Sequence, residues 1–192
     1  MKFITFLALA LICCKACAEE RYLLAADKQV IEIDRGGKVV SVLKHPGHGG
    51  IYDAARLPDG GIAFLSDRKP AFAYCWRTTT PILYRCARDG SDVVRLSANY
   101  LNDFTPSVLS DGRIIYSRWE YVDRPAIPIQ SLWAIQPDGT GLAGVFGNRV
   151  LSPATFMDAR EIPDSNGKIL CVLTSHNGPC RGAIGIVDPA RS

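Results

Sequence analysis

The sequence predicts an all-β fold, a β-propeller of four-stranded blades, and three observations carry that prediction. Turn signals recur with a period near fifty residues. A β-branched or aromatic run follows each of them. No stretch shows a sustained 3.6-residue apolar period, which excludes a helical domain.

The repeat is visible by self-comparison. Asp53-Ala54-Ala55-Arg56-Leu57-Pro58-Asp59 returns as Asp158-Ala159-Arg160-Glu161-Ile162-Pro163-Asp164, displaced by 105 positions. Midway stands Thr105-Pro106-Ser107-Val108-Leu109-Ser110-Asp111-Gly112. The turns Asp59-Gly60, Asp111-Gly112 and Asp164 to Gly167 are followed by Ile62–Leu65, Ile114–Ser117 and Ile169–Val172. A second series, Gly36-Gly37, Asp89-Gly90 and Asp138-Gly139, interleaves with the first. Asp-Gly and Gly-Gly supply the positive φ that a tight hairpin needs.

Taken in chain order, three strands are expected near 21–26, 29–34 and 38–43, then full units at about 53–96 and 104–146. In the second unit the strands fall near 104–109, 113–119, 131–136 and 141–146. The link 120–130 carries Pro125 and Pro128 and is excluded from a strand interior. A last unit from about 155 has three strands and stops at the turn Asp188-Pro189. Four short strands per fifty residues is the sequence form of a propeller blade. Two complete and two partial blades make at best a ring of four. The uncovered edges therefore predict a piece of a larger ring.

Composition bounds the function. The 192 residues are 47% hydrophobic and 21% charged, with 22 basic against 19 acidic side chains interspersed. Disorder is excluded, and no basic stripe favours nucleic acid. Lys2, an apolar run from Phe3 to Cys14 and Ala16-Cys17-Ala18 form a secretory leader with cleavage after Ala18. The run is too short to span a bilayer, so the expected location is periplasmic or extracellular. Cys75, Cys86, Cys171 and Cys180 remain after cleavage. Three pairings are possible, of which the local Cys75–Cys86 and Cys171–Cys180 is the simplest. Disulfides or free buried thiols are both favoured over zinc, since none of these four cysteines forms a C-x-x-C pair and the chain has only three histidines.

The unit Leu109–Ser117 followed by Leu132-Trp133-Ala134-Ile135-Gln136-Pro137-Asp138-Gly139 resembles the WD40-like repeat of exported TolB-type propellers. Arg118-Trp119-Glu120-Tyr121-Val122-Asp123-Arg124 and Pro153-Ala154-Thr155-Phe156 are similar to the middle, propeller region of hydrazine synthase alpha-subunit-like proteins. The resemblance covers about residues 50–190. It implies a propeller scaffold, and for the second family a c-type haem held by C-x-x-C-H. No cysteine here precedes a histidine, so covalent haem attachment is excluded and no cofactor is expected.

If the blades form, the links between second and third strands emerge on one face. They run over about 67–80, 118–130 and 174–182, and carry Arg68, Trp76, Arg77, Trp119, Tyr121, Asp123, Arg124, His176 and Asn177. Aromatic and arginine side chains on loops of a rigid scaffold are the usual anchors of binding. The competing assignment puts Trp119 and Tyr121 in packing between blades and His176 in a hairpin turn with Asn177-Gly178. His45 and His48 lack a third ligand nearby, so no metal is expected. The motifs of serine hydrolases, P-loops, zincins and dinucleotide folds are absent. The expected role is a module presenting this face to a protein or small ligand. The alternative is an accessory part of a periplasmic c-type-haem oxidoreductase.

Overall fold

A computed structural model of the chain describes residues 20–26, 28–44, 49–69, 72–73, 78–121, 129–150, 152–176 and 181–191. Trp76, Arg77, Asp123, Arg124, Asn177, Cys75, Cys180, His45, His48 and the leader lie outside the described residues. Within them the chain forms fourteen strands and one short 3-10 turn at Pro189–Arg191.

Both turn series fold as their sequence dictates. In the first, Leu57 N donates to Gly61 O at 2.8 Å and Leu109 N to Arg113 O at 2.9 Å. In the second, Asp34 N donates to Lys38 O at 3.0 Å, Ala87 N to Ser91 O at 2.8 Å and Gln136 N to Thr140 O at 2.9 Å. The aspartates add a second lock. Oδ1 of Asp59, Asp89, Asp111 and Asp138 each accepts from the backbone N–H two residues on, at 2.9–3.0 Å. Gly60, Gly90, Gly112 and Gly139 follow at φ between 85° and 89°, a region closed to most side chains.

These turns set the sheets. The first joins β1 (Arg21–Ala26), β2 (Gln29–Asp34) and β3 (Val39–Lys44). The second joins β4 (Ile51–Arg56), β5 (Ile62–Ser66), β6 (Ile82–Cys86) and β7 (Val94–Arg95). The third unit runs β8 (Asp103–Val108), β9 (Ile114–Glu120), β10 (Ile129–Ile135) and β11 (Ala143–Phe146). The last holds β12 (Thr155–Glu161), β13 (Ile169–Thr174) and β14 (Gly182–Val187). Neighbours within a unit are antiparallel. One parallel bridge, Gln130 with Thr155, ties the third unit to the fourth.

The core lies between sheets, and period-two alternation explains how one strand serves two interfaces. Ile62 and Phe64 of β5 face the first sheet's Val30, whereas Ala63 and Leu65 face Ile114, Tyr116 and Ile135 of the third. On β9, Ile114 and Tyr116 turn one way and Ile115 the other, toward Phe156, Ala159 and Ile169. Each fully buried Leu, Ile or Phe contributes roughly 1.5–3 kcal/mol. A sheet flanked on both sides therefore needs the near-continuous apolar runs that the sequence shows.

Cys86 and Cys171 are buried and form no disulfide among the described residues; Cys75 and Cys180, their expected partners, lie outside those residues. Both lie on sheet positions whose side chains enter inter-sheet clusters, Cys86 with Ile62 and Tyr84, Cys171 with Ile169 and Val187. Burial pushes both thiols upward, that of Cys171 to about 11.

The first strands of the three later units, β4, β8 and β12, lie side by side, with β1 against β4. Each of the three carries a bulge at the same height: between Tyr52 and Ala54, Phe104 and Ser107, and Met157 and Arg160. The first residue to leave the ladder is left-handed in each case, Asp53 at φ 36°, Thr105 at 44° and Asp158 at 53°. No helix among the described residues is long and apolar enough to cross a membrane.

Candidate functional site

Three of the residues singled out from the sequence meet on the loop face. Trp119, near the end of β9, stacks obliquely on Tyr121 with ring centroids 5.6 Å apart. It also meets His176, which follows β13 in the next unit, with ring centroids 5.4 Å apart. Gln130 of β10 closes the group, its Nε2 lying 3.3 Å from His176 Nδ1. An amide nitrogen only donates, so Nδ1 accepts and the neutral ring carries its proton on Nε2. Burial lowers the pKa of His176, which keeps that ring neutral near pH 7.

Trp119 is held from behind by a buried polar loop. Asn99 Nδ2 donates to Trp119 O at 3.1 Å and to Asp103 Oδ1 at 3.0 Å, while its Oδ1 accepts from Tyr100 N at 3.0 Å. Trp119 N donates to Asn102 O at 3.0 Å. Asp103 is sealed from solvent; its Oδ2 accepts from Leu83 N at 3.0 Å. Burial pushes its carboxyl up to about 6, against the pull of Ser97, Asn99, the Leu83 N–H and Arg118. The indole itself packs on Leu101 and Ala73, with Phe104 beside them. Its Nε1–H is buried and has no acceptor among the described residues, a free donor in a desolvated place. Tyr100, 44% exposed, spans the rim and donates from its hydroxyl to Tyr121 O at 2.8 Å.

Arg68 belongs to a different cluster. Its guanidinium lies over the rings of Phe64 at 5.1 Å and Tyr84 at 4.8 Å, and its Nε donates to Ser66 Oγ at 3.3 Å. That arrangement covers the end of the second sheet.

The polar residues the sequence reading did not assemble are those of the inner strands. Asp53 feels burial first and the Asp158 carboxylate second, both raising its pKa, while the Thr105 N–H and Arg160 oppose them. Asp158 N donates to Thr105 Oγ1 at 3.0 Å. The 105-residue self-match contained both aspartates, so the signal was present as a repeat rather than as a motif. Among the described residues no cluster of three or more His, Cys, Asp or Glu forms a metal site.

No protein-family model matches the chain, and no curated protein matches it in sequence. Solved structures do share its fold. TolB from Acinetobacter baumannii superposes with a TM-score of 0.53 at 16% identity, over 88% of this chain and 38% of that one. Hydrazine synthase of Kuenenia stuttgartiensis gives 0.61 at 14%, over 76% and 26%. A chain of a nidogen/laminin complex gives 0.51 at 12%, over 79% and 52%. The chain thus spans about half or less of each. At these identities the likeness establishes an all-β, propeller-type architecture.

Proposed function

We propose that the protein is an exported β-propeller binding module. In this reading its loop face, built around Trp119, Tyr121, Gln130 and His176, engages a protein or a small ligand in the periplasm or outside the cell. The observation that carries the reading is the buried Trp119 Nε1–H, without an acceptor among the described residues, placed where side chains of two neighbouring units converge. Aromatic rings, an amide and a neutral imidazole suit an uncharged hydrogen-bonding surface. Arg68, with the described part of its loop, flanks this face, and Trp76, Arg77, Asp123, Arg124 and Asn177 belong by sequence to the same links. TolB and the nidogen/laminin chain share the architecture, which supports a scaffold role. A part in a c-type-haem oxidoreductase is the second reading, favoured by the hydrazine synthase superposition; any haem would then sit on another polypeptide segment.

Site-directed photocrosslinking tests the first reading. A photoreactive phenylalanine analogue replaces Tyr121, and as a control Asp138 on the opposite, tight-turn end, in cells expressing the full chain. Adducts from position 121 absent from position 138 are expected, in the exported fraction. Equal labelling at both positions, or recovery only from the cytosol, would overturn the reading.

A further inference from the structure

Among the described residues the first sheet has three strands, and the repeat says which position of a unit they leave open. The turn between β2 and β3 makes the hydrogen bonds of the second turn series, the one joining third to fourth strands in later units. Leu43 of β3 sits against Gly90 as Leu96, 53 positions on, sits against Gly139. By both measures β1, β2 and β3 correspond to the second, third and fourth strands of a unit.

The counterpart of β1 is therefore β5 in the second unit and β9 in the third. Both are central strands, each flanked on either side. β5 is buried at every position, whereas β1 is buried at none. Tyr22 is 49% and Leu24 47% exposed. Among the described residues, β1 pairs only with β2. Among the described residues, a strand composed for a sheet interior thus stands at an edge, with backbone donors and acceptors turned outward at alternate residues of Tyr22–Ala26.

We propose that this edge of β1 is a strand-addition site, taking an extended polypeptide segment antiparallel to it, of the kind that β4 and β12 provide to β5 and β13. The chemistry of such a segment is written in the chain. Ile51-Tyr52-Asp53-Ala54 and Phe156-Met157-Asp158-Ala159 both place an apolar residue first, a polar left-handed residue third and a small residue fourth. Main-chain hydrogen bonds supply the affinity and the small fourth residue permits close approach to β4, as in strand augmentation generally. The site lies at the backbone edge of the first sheet and is independent of the Trp119 face.

The test uses the full chain and a synthetic peptide of residues 152–164 as the probe. Two further peptides carry N-methyl groups on alternate residues, in opposite phase. An antiparallel strand turns every second N–H toward its neighbour, so only one phase should lose binding, by tenfold or more, while the other is retained. Amide exchange at alternate residues of β1 should slow at least tenfold with the unmodified peptide. No binding, or equal binding of both methylated peptides, would overturn the proposal. So would protection of β1 before peptide is added, including protection that appears only in a dimer.

Discussion

Replacing Asp103 by Asn separates the charge of a sealed carboxyl from its hydrogen bonds. In the native protein this group titrates at about 6, against 3.8 for an ordinary aspartate. The folded state therefore holds the proton more tightly than the unfolded one. Its stabilising contribution is complete below pH 3.8 and is lost as pH rises through 6, the reverse of a salt-bridged aspartate. The full difference corresponds to about 3 kcal/mol, of which a little under half lies between pH 8 and pH 5. Asn also turns one amide N–H toward Leu83 N or Asn99 Nδ2, a cost of about 1–3 kcal/mol that does not vary with pH. Urea unfolding of wild type and Asp103→Asn at pH 5, 6, 7 and 8 isolates the titrating part, because every other carboxylate cancels in the difference. The wild-type advantage should grow by about 1 kcal/mol from pH 8 to pH 5. A flat difference would mean that Asp103 is not desolvated. An advantage that grows toward pH 8 would mean that its donors outweigh burial, and would refute the reasoning.

Other consequences are simpler to read. Gly147 sits at φ 89°, and a Cβ there would lie 2.5 Å from Phe156. Gly147→Ala should cost about 2 kcal/mol or more in urea unfolding. Gly167→Ala, at φ 81° with open space around it, should cost about half as much. Cys86 and Cys171 should resist iodoacetamide in the native protein at pH 8 and react fully in urea, as followed by peptide mapping. Rapid native labelling of either would contradict their burial.

The fold was legible because its turns are written in residues that have little choice. The four Asp-Gly pairs place the turns between β4 and β5, β6 and β7, β8 and β9, and β10 and β11 through local chemistry, and local chemistry survives without the tertiary structure. Strand ends near 38, 104 and 131 came within a residue or two of Val39, Asp103 and Ile129. That Cys86 and Cys171 both turn inward was not legible, since it depends on which faces of β6 and β13 pack against neighbouring sheets. Among the site residues, Trp119, Tyr121 and His176 were readable as loop-borne aromatics and a histidine. Gln130 and Asn99 were not, because an amide in a strand or link has no sequence signature until its partners are placed. Asp103 was visible as one acid among several; its isolation comes from Leu83, 20 positions earlier, lying against it.

The order of the inner strands has a consequence for how the molecule comes apart. Among the described residues β1 touches β4, β4 touches β8 and β8 touches β12, a succession running from each sheet to the next. Stability in such an array accumulates from nearest-neighbour couplings, so the second and third sheets, coupled twice, should open last. The first sheet, coupled on one side, should fray first and exchange its amides at a lower free energy than the middle of the array. Tyr84 and Tyr116, one in each of the middle sheets, then mark the cooperative heart of the protein, and the loop-face tryptophan is anchored to that heart rather than to a fraying end.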